Sequence, residues 1–188
     1  MHDVAEPTDE ALAIQAARGD AQAFDDLFHR NHARIFGLCF RFLGSHHDAE
    51  DVVQEVFIKV ARALPQFQGR SSVRTWLYRI ACRTASDWVR SRRRRGCSVE
   101  FDEASLDNQE SRTEGSNSER SAKLLAALQR LSADQRQAIL LVYSEDLSHH
   151  EAAKALGCAE TTVSWRVFVA KRRLKKLLTD ASLEKDLP

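Results

Sequence analysis

Apolar residues recur every three or four positions along most of this chain, the spacing of helices that bury one face. Three such stripes fill the first half of the sequence, and Gly44 ends the first while Pro65 ends the second. Together they predict an all-helical domain over residues 5–96, with a shorter helix around residues 9–18. The stripes consist of Phe24, Leu27, Phe28, Ile35, Leu38 and Phe42; of Ala49, Val52, Val53, Val56, Phe57, Val60 and Leu64; and of Val73, Trp76, Leu77, Ile80, Ala81 and Trp88.

Helical spacing returns in the C-terminal third, after a polar interval. Residues 97–118 are dominated by Ser, Asn, Asp, Glu and Arg, a composition that predicts a flexible linker. Ser132 and Ser148 each open a capping box, in which Gln or Glu follows three residues later. Gly157 then separates a short helix from a long basic one, the helix-turn-helix pattern. The sequence therefore predicts an all-α protein of two small helical domains, residues 5–96 and 119–180.

The charge of the chain is unevenly distributed, although the formal net charge is only +1. Residues 66–96 carry nine arginines and one aspartate, and residues 159–188 carry seven basic and four acidic residues. Residues 1–65 and 97–121 each have a net charge of −5. Two basic blocks in separate domains are typical of a protein that contacts nucleic acid at two points.

Composition also excludes several classes of function. The sequence has no apolar run of 18 residues and no signal-peptide pattern at its start, so we expect a cytoplasmic protein without membrane insertion. The four cysteines show no CxxC pairing, which argues against a disulfide framework or a zinc finger. No nucleophile–base pair or P-loop is present, so we expect no catalytic residues and no cofactor. We also expect no metal site, because ligand spacing is missing at His46, His47, His149, His150 and Cys158.

The helix predicted at residues 48–64 has a core stripe that is complete without Ile58. At about 100° per residue, Ile58 points away from that stripe and lies among Asp51, Gln54 and Glu55. Single exposed apolar residues are common, so chance remains one interpretation. The acidic surroundings favour the other interpretation, a contact with a protein partner.

The next helix, at residues 72–95, holds eight arginines and one aspartate, which would repel one another without a polyanion or an acidic partner. A solvated surface is the alternative interpretation. The loop around Gly69 could hold one unstacked base through Phe67, Gln68, Arg70 and Ser71. Trp76 belongs to the core stripe, so we expect it to pack inside the domain.

The long basic helix that begins near Glu160 has two distinct faces. Val163, Val167 and Ala170 lie on the predicted core face. The other face could enter a major groove, where Arg pairs with guanine and aromatic side chains contact thymine methyls. Alternatively, Trp165 and Phe168 widen the core stripe. The major-groove interpretation uses Thr161, Trp165, Arg166, Phe168 and Arg172.

Two stretches of the chain resemble the extracytoplasmic-function (ECF) sigma factors of bacterial RNA polymerase. Region 2 of that family is resembled by Asp48-Ala49-Glu50-Asp51 with Val53-Gln54-Glu55-Val56-Phe57, and by Arg74-Thr75-Trp76-Leu77-Tyr78-Arg79-Ile80-Ala81. Region 4 is resembled by Leu147-Ser148 with Glu151, Ala153, Leu156-Gly157, Thr162-Val163 and Arg166.

The resemblance implies a promoter-specificity subunit with no chemistry of its own, active in stress responses. Its implied partners are core RNA polymerase, through the β′ clamp and the β flap, promoter DNA and an anti-sigma factor. The residues implied for core polymerase are Asp48, Asp51, Gln54, Glu55 and Ile58. Those implied for the −10 element are Phe67, Gln68, Gly69, Arg70, Ser71, Arg74, Arg79 and Arg83. Those implied for the −35 element are Thr161, Thr162, Trp165, Arg166, Phe168 and Arg172.

Two other functions are compatible with parts of the sequence. One is a helix-turn-helix DNA-binding regulator that acts without polymerase. The acidic face around Ile58 and the basic helix after Gly69 argue against it, because such a regulator needs neither. The other is a metal- or redox-responsive binding module that uses the His and Cys residues.

Overall fold

The computed structural model describes residues 6–96 and 115–183, and every regular element in these two stretches is helical, as predicted. The N-terminal unit, residues 6–96, contains four α-helices and a short 3₁₀ turn at Leu64–Gln66. The C-terminal unit, residues 115–183, contains four further α-helices. In chain order the helices are α1 (Asp9–Ala17), α2 (Ala21–Leu43), α3 (His46–Ala63), α4 (Val73–Arg94), α5 (Gly115–Gln129), α6 (Ala133–Tyr143), α7 (His149–Leu156) and α8 (Glu160–Leu183).

The apolar stripes of α2, α3 and α4 meet in a single core, as their spacing predicts. Leu27, Val56 and Leu77, one from each helix, are at most 1% exposed. Burying a side chain of this size contributes about 1.5–3 kcal/mol relative to leaving it in water. Helix α1 packs against α2 and adds Leu12 to the same core.

Polar side chains and one glycine set the ends of these helices. Asp20 accepts hydrogen bonds from the backbone N–H groups of Gln22 and Ala23, at 3.0 and 3.1 Å, and so starts α2. Gly44 ends α2 with a φ of 78°, a left-handed conformation that costs other residues roughly 1–2 kcal/mol. The predicted boundaries of α2 are therefore confirmed.

Both capping boxes predicted in the C-terminal unit are present. The Ser132 hydroxyl accepts from the Gln135 backbone, and the Ser148 hydroxyl accepts from the Glu151 backbone. Gly157 has a φ of 65° and makes the turn between α7 and α8, which completes the helix-turn-helix. Helix α5 begins at Gly115, inside the stretch predicted as linker, and residues 97–114 of that stretch lie outside the described residues.

The two units pack against each other, with α4 on α7 and α2 on α5 and α6. The Gln137 side-chain amide donates to the Cys82 carbonyl oxygen and to the Ser86 hydroxyl, both at 2.8 Å. The Gln129 amide donates to the Arg41 carbonyl oxygen at 3.1 Å. Polar groups therefore cross the seam between the units at several points.

Candidate protein-binding and nucleic-acid surfaces

The outer surface of α3 carries Asp51, Gln54, Glu55 and Ile58, all of them exposed; we call these four residues the docking face. Ile58 is 51% exposed, whereas the apolar side chains on the opposite side of α3 are buried. Lys59 neutralises part of the acidic charge through an ion pair with Glu55 at 2.7 Å. The face is thus an apolar side chain surrounded by acidic and amide groups, as its helical spacing predicts.

Asp48 does not belong to this face, although the resemblance groups it with polymerase-binding residues. Its side chain is buried, and both of its carboxylate oxygens accept from Arg92 Nη1 at 2.7 Å. The Arg92 guanidinium also lies over the Trp88 ring, 4.8 Å from its centroid. Asp48 therefore fastens the start of α3 to the end of α4, a pairing that neither helical stripe reveals.

The loop before α4 brings together the residues predicted for an unstacked base. Gln68, Gly69 and Arg70 are exposed, and Gly69 has a φ of 65°. Phe67 is half-buried, and its ring centroid lies 5.0 Å from that of Trp76. The loop is open to a ligand, but its aromatic ring already has a packing partner.

Arg74, Arg79 and Arg83 follow one another along α4, and we call them the arginine face. Arg79 and Arg83 are exposed. Arg74 is half-buried, and its guanidinium donates to the Glu145 carbonyl oxygen and, from Nε at 3.5 Å, to the Tyr78 hydroxyl. The hydrogen bond with Tyr78 raises the pKa of Arg74. Two of the three arginines are therefore free to meet an anion, and the third is held by the C-terminal unit.

Among the described residues, the two most exposed aromatic side chains lie on the outer surface of α8. Trp165 and Phe168 are 62% and 64% exposed, so the alternative that they extend the core is wrong. Thr161 and Arg172 are exposed on the same helix, and Thr162 is half-buried. We call Thr161, Trp165, Phe168 and Arg172 the α8 outer face.

Arg166 stands apart from the α8 outer face. It is half-buried and donates to the Asp134 carboxylate at 2.6 Å and to Cys158 Sγ at 3.8 Å. This side chain links α8 to the start of α6 and to the turn before α8, so it serves the packing of the C-terminal unit. Helices α7 and α8 are joined again by His149, whose Nδ1 lies 2.8 Å from the Ser164 hydroxyl.

Glu145, in the turn between α6 and α7, was not singled out by the sequence, yet it is 3% exposed and lies at the seam between the units. Its carboxylate accepts from Arg41 Nη2 at 2.7 Å and from the Tyr78 hydroxyl. Burial raises the pKa of the Tyr78 phenol, and the hydrogen bond with Glu145 raises it further. Burial also raises the pKa of the Cys39 thiol to about 12, with a contribution from the negative charge of Glu145.

No three His, Cys, Asp or Glu side chains within the two described stretches lie close enough together to hold a metal ion. The side chains of the four histidines considered at the sequence level have polar neighbours. His46 lies 3.5 Å from Glu50, and His150 lies 3.4 Å from Glu160. Among residues 6–96 and 115–183, no helix combines the length and apolar character that a bilayer crossing requires.

Comparison with known families gives two matches that follow the two units. A model described as Sigma-70 region 2 matches residues 27–95, and one described as Sigma-70, region 4 matches residues 121–174. The RNA polymerase sigma-H factor of Pseudomonas aeruginosa is 36% identical over 180 residues, which cover 90% of this chain and 93% of that protein. The ECF RNA polymerase sigma-E factor of Escherichia coli K12 is 37% identical over 177 residues, or 89% and 92% of the two chains.

Solved structures agree with these matches. CnrH, in complex with the cytosolic domain of CnrY, superposes with a TM-score of 0.71 at 27% identity, covering 92% of this chain and 97% of that one. The sigma factor RpoE of Bartonella quintana, in complex with the anti-sigma factor NepR, superposes with a TM-score of 0.66 at 25% identity, covering 85% and 98%.

A stand-alone helix-turn-helix regulator is the wrong interpretation, because the similarity to sigma factors covers both units and not the helix-turn-helix alone. The α3 and α4 surfaces lie in the unit that matches region 2, and the α8 surface lies in the unit that matches region 4. The chain belongs to the extracytoplasmic-function family of RNA polymerase sigma factors.

Proposed function

We propose that this sigma factor binds core RNA polymerase through the docking face and directs it to promoters through α4 and α8. The observation that carries the proposal is the 51% exposure of Ile58 on a helix whose other large apolar side chains are buried. An exposed apolar side chain within an acidic rim fits a partner surface that has an apolar pocket and basic surroundings. The resemblance to the family implies the coiled coil of the β′ clamp as that partner.

The −10 element would be melted and read by the loop at residues 66–72 together with the arginine face. Gln68, Gly69 and Arg70 are exposed in a loop that an unstacked base could enter. Arg79 and Arg83 are placed to neutralise backbone phosphates. Phe67, Ser71 and Arg74 complete the proposed set.

The −35 element would be read as duplex DNA by the α8 outer face. Trp165 and Phe168 can contact thymine methyls, and Arg172 can pair with guanine or a phosphate. Arg166 and Thr162 are less exposed, so we assign them to supporting α8. Asp48 has the corresponding role in the N-terminal unit, since its ion pair with Arg92 holds the helix that carries the docking face.

The remaining proposals concern organisation and control. Residues 5–96 would act as region 2, residues 119–180 as region 4 with a contact to the β flap, and residues 97–118 as their linker. The subunit would contribute no catalytic group and would work in the cytoplasm with polymerase. The structure of RpoE in complex with the anti-sigma factor NepR supports control of this chain by an anti-sigma factor.

Capture of core RNA polymerase by the purified full chain tests the docking face. Ile58→Asp should reduce capture at least about tenfold, since a charge buried in an apolar contact costs more than the 1.4 kcal/mol that tenfold represents. Ile14→Asp is the matched control, because Ile14 is an equally exposed isoleucine, at 51%, on α1 of the same unit. Run-off transcription with the captured polymerase then reports new start sites.

Two results would contradict the proposal. Equal loss of capture in the Ile14 and Ile58 variants would mean that general solubility, and not the docking face, determines the result. Full capture by a folded Ile58→Asp protein would place the polymerase contact elsewhere on the chain.

A further inference from the structure

Tyr143 is an exposed aromatic residue that the proposed function does not use. It is the last residue of α6, and it is 55% exposed. Its hydroxyl accepts a hydrogen bond from Lys171 Nζ of α8 at 2.9 Å, and the same ammonium lies 5.0 Å from the centroid of the tyrosine ring. A solvated lysine samples many rotamers, whereas this ammonium is held by both the hydroxyl and the ring. We call Tyr143 and Lys171 the edge pair.

The edge pair borders the α8 outer face. Lys171 is exposed and follows Phe168 by three residues, so at about 100° per residue it lies about 60° from Phe168 around the helix. Tyr143 lies beyond Lys171, because α6 packs along α8 on that side. A helix that enters the major groove has a phosphate backbone on either side. A duplex on the α8 outer face therefore brings one backbone past the edge pair.

The edge pair has positive charge and lacks an acidic partner. Among the side chains that the structure describes, no carboxylate forms an ion pair with Lys171, whose hydrogen-bond acceptor is a neutral phenol. Lys175, one helical turn further along α8, is exposed as well. Like charges one turn apart repel each other, and an anion between them relieves the repulsion. The charge of this edge therefore suits an anionic ligand.

The two side chains also have unused hydrogen-bond donors. A lysine ammonium has three N–H donors, and Tyr143 accepts from one of them. The hydroxyl that accepts from Lys171 keeps its own proton to donate. Phosphate oxygens accept from both groups, and the bond from the charged ammonium is the stronger. The edge pair thus matches a backbone phosphate better than an uncharged base edge.

We propose that Tyr143 is a phosphate-binding and positioning residue for −35 recognition, which holds the Lys171 ammonium beside α8 and donates with it to one backbone phosphate of the duplex. The proposal rests on the assignment of duplex reading to the α8 outer face. The contact carries no sequence information, since phosphates are the same at every base pair. It fixes the angle and depth at which α8 enters the groove, because one of its two donors belongs to a second helix, α6.

Binding of the full chain to duplex DNA tests the edge pair. The probe is a fluorescein-labelled duplex of random sequence and about 30 base pairs, roughly three helical turns, followed by fluorescence anisotropy. Lys171→Gln should weaken binding about three- to tenfold at about 50 mM salt. Between about 50 and 200 mM salt, it should also reduce the slope of log affinity against log salt by about one, because one phosphate contact is lost.

Two substitutions of Tyr143 separate its hydroxyl from its hold on Lys171. Tyr143→Phe should weaken binding about threefold and leave the salt slope unchanged, since the ring still holds the ammonium. Tyr143→Ala frees Lys171 and should lower the slope toward that of Lys171→Gln. A purely structural role would not change the number of phosphates neutralised, so the slope identifies positioning. In the Lys171→Gln background, Tyr143→Ala should have less effect than it has alone.

Two further variants serve as controls. Lys154→Gln removes the same charge from the same unit, on the side of α7 that lines a cleft with Arg70 and Arg79. It should leave the salt slope unchanged. Arg172→Ala is the positive control for the α8 outer face, and it should weaken duplex binding whether or not the edge pair contacts DNA.

Unchanged affinity and slope in the Lys171→Gln and Tyr143→Ala proteins, beside weakened binding by Arg172→Ala, would overturn the edge pair and leave the assignment of α8 intact. Unchanged binding by Arg172→Ala, beside the expected losses at the edge pair, would instead contradict the proposed function of the α8 outer face. If Tyr143→Ala bound the duplex normally but no longer captured polymerase, the edge pair would be a protein contact and the proposal would be wrong.

Discussion

The contacts within each unit differ in kind from the contacts between the two units. Within the units, helices meet through fully buried apolar side chains such as Val52 and Leu141. Between them, guanidinium, carboxylate and amide groups, among them Glu145 and Gln137, lie beside apolar side chains that join the cores of the two units. Apolar burial favours the folded state strongly, whereas buried polar contacts add little net stability because water offers the same groups equivalent partners. The apolar cores therefore supply most of the stability, and the polar contacts of the seam add specificity to the packing of the two units.

Two details of the seam support this difference. Arg136 donates to the Phe42 carbonyl oxygen of the other unit and to the carbonyl oxygen of Leu131 in its own, and burial lowers its pKa to about 10. The Nε atoms of Arg41 and Arg136 are buried with no hydrogen-bond partner among the described residues. Each unmet donor costs free energy where the two units pack together, because it has lost water without gaining a partner.

The largest effect is expected from a break in the apolar core. Leu77→Ala should lower the free energy of unfolding of the N-terminal unit by about 2–5 kcal/mol, since Leu77 is 1% exposed and its truncation leaves a cavity. Urea unfolding followed by circular dichroism measures this loss. The exposed Ile14→Ala should stay within about 0.5 kcal/mol of wild type. A similar small loss for Leu77→Ala would remove the distinction between core and seam.

A smaller effect is expected at the polar contact that lies inside a unit. Asp48→Asn should cost about 2 kcal/mol of stability, because it weakens a buried, charge-assisted pair with Arg92. The folded variant should still capture polymerase. Asp51→Asn should do the reverse, retaining stability and losing capture, because Asp51 is exposed on the docking face. If Asp48→Asn and Asp51→Asn reduced polymerase capture equally, Asp48 would have to be counted as part of the docking face.

The smallest effect is expected from pH, through Tyr78 at the seam. The folded chain holds the phenolic proton to a higher pH than the unfolded chain, whose tyrosines ionise near pH 10. The contribution of Tyr78 is therefore complete below about pH 10 and is lost as the pH rises, by about 1.4 kcal/mol at pH 11. Urea midpoints between pH 8 and pH 11 should fall more steeply for wild type than for Tyr78→Phe. Parallel curves would show that the phenol ionises equally well in both states.

Most of the fold could be predicted from the sequence, because the fold rests on local patterns. Helical spacing and caps such as Asp20, Gly44 and Ser148 depend on residues a few positions apart. The exposure of Ile58 also followed from its angle on one helix. These features need no knowledge of where a distant segment lies.

The parts of the site that could not be predicted depend on pairs of residues far apart in sequence. The resemblance groups Asp48 with the polymerase-binding residues, yet its carboxylate is buried against Arg92 from another helix. Glu145 has no periodic pattern around it, and its partners Arg41 and Tyr78 lie in a different unit. From the sequence, Trp165 and Phe168 could lie either on the core face or on the outer face of α8. The packing of α8 leaves both side chains exposed to solvent.

Gly44 meets two requirements at one position, the left-handed backbone that ends α2 and the close approach of Gln129 from the other unit. A Cβ atom at this position would lie 2.8 Å from Gln129 Cδ, closer than side chains tolerate, and the residue also has the left-handed φ that ends α2. Any larger residue here would strain the backbone and at the same time displace the Gln129 side chain, which donates to the Arg41 carbonyl oxygen across the seam. Substitutions at positions 44 and 129 should therefore covary within close relatives, with a side chain at one position accompanied by a shorter one at the other.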